Sequence, residues 1–259
     1  MTESARPWWF ELFFGTTRGR TITICVLVAI VVLFSSTVVI LLKKDLLRDI
    51  PYINPRAFQR KSGRVPAILA TFGSGWPATN NGLEWGVFND NKYLGRSTAW
   101  FETAANPDLG GDYFLRMHYT ILRGQRSQIG EGYCGMFTDL RPPLGTVDLT
   151  GFAALRFRAR RSPAAPAGLR YLVSLANPQI PRYGYHEFDF SQLLRVDGAF
   201  TEVRVPFTLL RQPDWWTEEK QRFDPEEVQR LSFVVKGSDG DGYLDIDDIG
   251  FLDGASAAQ

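Results

Sequence analysis

Histidine and cysteine are nearly absent, with two of each in 259 residues, and that scarcity removes most metal and nucleophile chemistry. A zinc site needs clustered His and Cys, and neither C-x-x-C nor H-x-x-x-H occurs. A serine nucleophile needs a histidine base, yet His118 and His186 lie away from any G-x-S-x-G turn. Phosphate-cradling glycine loops are missing too, and no cofactor is expected. Cys25 sits in a hydrophobic run and Cys134 far from it, so no disulfide between them is expected. Charge of one sign is also lacking: 29 Lys and Arg stand against 28 Asp and Glu. No net field draws in nucleic acid, which is excluded as a partner. Internal repeats and low-complexity tracts do not occur.

One long hydrophobic run is present. Thr21 to Leu42 reads TITICVLVAIVVLFSSTVVILL, without one charge, and at about 1.5 Å per residue it matches the hydrocarbon thickness of a bilayer. A cleaved leader would have a shorter apolar core and a small-residue cleavage site, whereas LLKKDLLRD follows here. The segment is therefore expected to be an uncleaved transmembrane helix, making the chain a single-pass protein of a bacterial inner membrane. Ahead of it, residues 1–20 form an aromatic interfacial tail in which Trp8, Trp9, Phe10, Phe13 and Phe14 suit the headgroup layer or a contact with another membrane protein. Basic residues are more numerous on the C-terminal flank, at Lys43, Lys44, Arg48, Arg56, Arg60 and Lys61, which by count alone places the large domain in the cytoplasm.

Residues 43–66, basic and punctuated by Pro51, Pro55 and Pro66, read as a juxtamembrane linker. A folded domain is expected over 67–254, with a flexible tail at 255–259. Its 24 Gly and 15 Pro across the chain and 14% aromatic content fit strands and turns. In 155–160, Leu155, Phe157 and Ala159 alternate with Arg156, Arg158 and Arg160, as in a strand with one face in a core and one in water. Leu169, Tyr171, Val173 and Leu175 repeat the device. Further strands are predicted at 97–103, 113–121, 133–140, 185–190, 200–207, 231–236 and 243–252. The fold class is mainly β, a two-sheet antiparallel sandwich or jelly roll preceded by one transmembrane helix. One short helix is predicted over Pro225 to Leu231, with Asp224 as N-cap.

Carboxylates are the remaining reactive groups. Glu187 and Asp189 share a strand face, and Asp245, Asp247 and Asp248 crowd the last strand. A glycosidase would need two of them facing each other across a cleft. In Ser238 to Asp248, Tyr243 stands where a calcium loop needs its third oxygen, so a turn is expected there. Calcium on Asp239, Asp241 and Asp245 is kept as the alternative.

Four stretches occur in a familiar order: N-D-x4-G-x-S within Trp85 to Phe101, V-D-L-x-G-F at 147–152, E-V-x-V-P-F at 202–207, and D-I-D-D-I-x-F at 245–251. On these motifs the domain resembles the galactose-binding-like jelly rolls that include family-eleven carbohydrate-binding modules and the complex I intermediate-associated proteins of about 30 kDa. The resemblance implies a non-catalytic module that binds glycan or helps assemble a membrane electron-transport complex, and it favours the periplasmic side. For ligand or partner contact the candidates are Trp76, Tyr183, Tyr185, Trp215 and Trp216, with Glu187 bonding hydroxyls. Since adjacent residues in extended chain point opposite ways, Trp215 and Trp216 are not both expected to be buried. The leading expectation is a scaffold subunit of a photosynthetic or respiratory membrane complex, partnered by other membrane subunits and the lipid bilayer. The alternative is a membrane-tethered binder of envelope polysaccharide, and the third reading is a glycoside hydrolase.

Overall fold

The computed structural model describes residues 63–64, 66–79, 82–106, 112–122, 130–141, 145–180, 184–215 and 219–254. Thr21 to Leu42, and the aromatic residues Trp8, Trp9, Phe10, Phe13 and Phe14, lie outside them. Among the described residues no helix is long and apolar enough to cross a membrane.

The described chain is a sandwich of two mainly antiparallel sheets. Its strands are β1 (Gly63–Arg64), β2 (Ile68–Ala70), β3 (Gly86–Asn89), β4 (Thr98–Asn106), β5 (Asp112–Ile121), β6 (Gly132–Asp139) and β7 (Val147–Asp148). They continue with β8 (Ala154–Arg161), β9 (Arg170–Ala176), β10 (Tyr185–Asp189), β11 (Thr201–Pro206), β12 (Arg230–Gly237) and β13 (Gly240–Leu252). One sheet runs β10-β9-β12-β6-β3 and the other β11-β8-β13-β5-β4, with β2 joining β13. β1 and β7 form a small parallel pair of their own.

Each strand's alternation decides which side chains enter the space between the sheets. Leu155, Phe157 and Ala159 of β8, with Leu244 and Ile246 of β13, are fully buried there and meet Tyr171, Val173 and Leu175 of β9 and Leu231, Phe233 and Val235 of β12. Phe157 packs edge-on against Phe190 and Phe233, centroids 5.1 Å apart in each case. Tyr119 of β5 and Tyr171 of β9 share a hydrogen bond of 2.7 Å across the core, so each buried hydroxyl has a partner. Cys134 faces inward and is fully buried, which pushes its thiol up to about 12.

All nine predicted strands form, with ends shifted by a few residues. The helix expected over Pro225 to Leu231 does not. Asp224 caps only a turn, accepting from the Glu226 N–H at 2.9 Å. Asn177 then takes the carbonyl oxygens of Asp224 and Glu227 at 2.6 and 2.9 Å, and Val228 is buried in a backbone bridge to Val147. A packed apolar side chain and an external amide thus outcompete a seven-residue helix with little propensity to form alone.

β13 changes neighbours along its length, pairing β5 up to Ile246 and β2 from Ile249, with a register shift between Asp247 and Gly250. Asp248 adopts a left-handed φ of 49° at this bulge. Asp247 is buried, its Oδ1 accepts the Asp248 N–H at 2.8 Å, and its Oδ2 accepts no hydrogen bond. Burial, reinforced by the negative charges of Asp248 and Asp112, raises its carboxyl to about 7 despite the Asp248 N–H and Arg158. The folded chain therefore holds a proton that the unfolded chain releases near pH 3.8. Its contribution to stability is complete below that pH and is lost as pH rises toward 7. Asp247→Asn cannot ionise. Between pH 4.5 and 7.5 its urea-unfolding free energy should gain on the wild type by up to about 1.4 kcal/mol per pH unit. Parallel pH profiles for the two proteins would show that Asp247 is ionised throughout.

Candidate functional site

The outer face of the five-stranded sheet gathers the groups that can hold a ligand. Because opposed residues share a face, the register places Tyr185, Ala176, Arg230 and Asp139 in one row across β10, β9, β12 and β6. The next row holds Glu187, Ser174, Ser232 and Phe137, and the one after holds Asp189, Leu172, Val234 and Gly135, with Phe88 of β3 opposite Gly135. Lys236 and Tyr133 follow.

Aromatic rings cover the β3–β6 side of this face. Phe88 lies 6.2 Å from both Phe137 and Tyr133, and Tyr93, on the turn after β3, lies 6.4 Å from Tyr133. The Phe88 ring spreads over Gly135, where an added Cβ would come within 2.6 Å of it and 2.4 Å of the Phe233 carbonyl oxygen. The turn carrying Tyr93 is held by Asp90, whose buried carboxylate accepts from Ser97 N–H at 2.9 Å, Ser97 Oγ at 2.8 Å and Tyr133 N–H at 3.0 Å. Gly95 is required there, since a Cβ would sit 2.0 Å from the Asp90 carboxyl carbon.

Charged groups on the β10–β12 side are paired. Arg230 donates to Asp139 at 2.7 Å while its guanidinium lies 4.0 Å from the centre of the Phe137 ring. Burial weakens Arg230's hold on its proton, but hydrogen bonds to Asp139 and Tyr185 outweigh it and raise the group above its ordinary value. Lys236 reaches back across the Leu172–Val234 row to within 3.6 Å of Glu187, and both side chains are only 15–16% exposed. Such groups are fixed before any ligand arrives, so little side-chain entropy remains to be lost on binding.

Of the residues singled out in the sequence, Tyr185 and Glu187 lie on this face. Trp215, 58% exposed, belongs to the segment after Arg211, which hydrogen-bonds Glu187 in both directions (2.7 and 3.1 Å) along the free edge of β10. It therefore flanks the same face. Trp76, 68% exposed, lies elsewhere: the neighbouring Gly75 carbonyl accepts from Thr103 of β4, in the other sheet. Tyr183 and Trp216 lie outside the described residues. His186 points inward, buried, with Nε2 3.1 Å from the Gln221 carbonyl oxygen, and burial lowers its pKa.

The carboxylates of the last strand make neither a cleft nor an ion cage. Asp245 sits on the outer face of the six-stranded sheet, on the opposite side of the sandwich from Glu187, so these two cannot flank one glycosidic bond. Both Asp245 oxygens are taken, by Arg116 at 2.7 and 2.9 Å and by Arg160 at 2.7 Å. Asp239 and Asp241 are exposed at the β12–β13 turn, and among the described residues no group of three or more His, Cys, Asp or Glu is placed to hold a metal. Of the three residues considered for calcium, Asp245 spends both carboxylate oxygens on arginine.

Sequence reasoning missed Phe88, Tyr133, Phe137, Asp139, Arg230 and Lys236. The alternation Tyr133-Gly135-Phe137-Asp139 was visible, but Cys134 and Met136 between them are apolar as well, so the pattern did not say which set faced out.

No protein-family model matches the chain, and no curated protein matches it. Among solved structures it is similar to a family 11 carbohydrate-binding module of a cellulosomal cellulase of Clostridium thermocellum, with 15% identity and a TM-score of 0.48 over 74% of this chain and 96% of that one. The Clostridium thermocellum family 11 module in complex with a β-1,3-1,4-mixed-linked tetrasaccharide aligns with 16% identity and a TM-score of 0.45, over 65% of this chain and 88% of that one. A family 30 carbohydrate-binding module aligns with 18% identity and a TM-score of 0.40, over 59% and 73%.

The glycine under Phe88 gives the face a direct test. Gly135→Ala should lower stability by about 1–3 kcal/mol through overpacking. Gly151→Ala, where nothing lies within 4 Å, should change it by less than about 0.5 kcal/mol. Thermal unfolding of the two variants side by side checks this, and equal melting temperatures would mean that the ring is not held against the sheet.

Proposed function

We propose that this chain is a membrane-tethered, non-catalytic binder of polysaccharide that takes its ligand on the outer face of the five-stranded sheet. One observation carries the reading: aromatic rings and charge-paired hydrogen-bonding groups share that face, side by side and already held in place. Sugars ask for both, since their C–H faces stack on rings and their hydroxyls need donors and acceptors at fixed positions. Phe88, Tyr133 and Phe137 supply flat apolar surface, while Glu187 and Asp139 accept and Lys236, Arg230 and Tyr185 donate. Each carboxylate is held by a cation, which suits it to accept from a hydroxyl and not to protonate a leaving group. The hydrophobic run Thr21 to Leu42 supplies the tether, with the domain on the periplasmic side, where envelope polysaccharide is found.

A second reading, a scaffold subunit of a photosynthetic or respiratory membrane complex, is favoured by the exposed Trp76 and Trp215 and by the aromatic tail before the hydrophobic run. The two readings separate in one experiment. The full chain, extracted in mild detergent, is applied to a glycan array and in parallel analysed by mass spectrometry for co-purifying proteins. Under the binding reading it recognises a defined set of polysaccharides. Tyr185→Ala or Phe137→Ala should weaken that binding by about tenfold or more, and Glu187→Gln should weaken it as well. If the array stays blank and stoichiometric membrane subunits come along, the scaffold reading stands and the sheet face is not a glycan site.

A further inference from the structure

The outer face of the six-stranded sheet carries an aromatic feature that the first site does not use. Trp100 of β4 is opposite His118 of β5, which is opposite Tyr243 of β13, so three rings form one row across three strands. At about 4.8 Å per strand the row spans about 10 Å. The Trp100 indole stacks flat on the His118 imidazole, with centroids 3.9 Å apart and planes 10° from parallel. His118 is in turn fixed by Glu102, with Nε2 2.9 Å from Oε1. Tyr243 is held by the Arg116 guanidinium, 4.1 Å from its ring centre, and Arg116 is itself locked on Asp245. Trp100 nevertheless remains 54% exposed.

A large aromatic side chain left this open on a sheet normally lies down on its neighbours or is covered by another element. Here one π face of the indole is occupied by the imidazole, and the exposure that remains belongs to the other face and the ring edges. Polar groups border it on both sides: Thr98, Thr120 and Asp241 share the row above, and Glu102 begins the row below.

We infer that Trp100, supported by His118, is a second carbohydrate platform, back to back with the first and independent of it. The ligand class follows from the surroundings. A flat ring in an open sheet takes the C–H face of a pyranose whose hydroxyls are equatorial and point to the side, where the threonine hydroxyls and carboxylates stand. Glu102 and Asp241, both exposed, can accept from those hydroxyls. The platform is therefore for β-linked hexoses with equatorial hydroxyls, one sugar ring laid on the one open indole face. Trp100 is the contact residue and His118 the positioning residue beneath it.

The test is titration calorimetry of the full chain in detergent micelles with cellotetraose, a neutral β-1,4-linked tetrasaccharide with equatorial hydroxyls. Two sites per chain are expected. Trp100→Ala should abolish one of them or weaken it by about tenfold or more, with little change in melting temperature for so exposed a residue. His118→Ala should weaken that site while His118→Phe, which keeps a flat support, restores it. A merely structural histidine would not give that pattern. Tyr185→Ala should remove the other site and leave this one. If Trp100→Ala binds like the wild type, or if cellotetraose does not bind at all, the platform is refuted. If Tyr185→Ala binds like the wild type while Trp100→Ala does not, the platform stands and the five-stranded face loses its assignment.

Discussion

The buried carboxylate of Asp245 is the constraint on which the six-stranded sheet depends. It lies in the central strand β13, has no solvent exposure, and accepts from Arg116 of the strand on one side and Arg160 of the strand on the other. Removing one partner from such an arrangement typically costs about 3–5 kcal/mol, because a charge is then left buried without compensation. Its larger effect is on register. Leu244 and Ile246 on either side of Asp245 face the core, so a one-residue slip would drive the carboxylate into the apolar layer and both aliphatic chains out of it. The arginines cover the aromatic residues beside them as well: Arg160 lies within 5 Å of the Phe114 and Phe200 ring centres, and Arg116 lies over Tyr243. Rings on that face are consumed by the scaffold, and Trp100, at the edge and outside this network, is the exception.

The opposite sheet solves the same problem differently. Its outward charges pair two by two, Arg230 with Asp139 and Lys236 with Glu187, without a common centre. Its Phe137 ring carries the Arg230 guanidinium. Phe88 packs into the space left by the absence of a side chain at Gly135. A face built this way keeps aromatic surface available while its polar groups stay oriented. That is the difference between a sheet face that serves stability and one that can serve recognition.

Much of this was legible from residue order. The alternation in 155–160 marked inward and outward sets correctly, and Tyr185 and Glu187, two apart, were bound to share a face. The spacing Asp90-x4-Gly95-x-Ser97 had a physical reason, since the carboxylate fills the place of a Gly95 side chain while binding Ser97 twice. What escaped depended on pairing between distant strands. β3 is only four residues long and its pattern is not apolar enough to announce a strand, so Phe88 could not be placed beside Phe137. His118 looked like an ordinary strand histidine because its role comes from Trp100, eighteen residues earlier in the chain and adjacent only through the β4–β5 register. The turn at Pro225 looked helical because Asn177, which takes its carbonyl groups, lies far off in sequence.

The two aromatic faces have a geometric consequence. Packed sheets lie about 10 Å apart, and their outer faces point in opposite directions. One straight glycan chain cannot lie on both. A protein with ligand surfaces on both sides of a sandwich therefore holds two neighbouring chains, and each contact can be weak, because the first raises the local concentration of the second partner. The proposed membrane tether would add to this, since a domain held at a surface has already given up most of its translational freedom before it meets a polymer lying alongside.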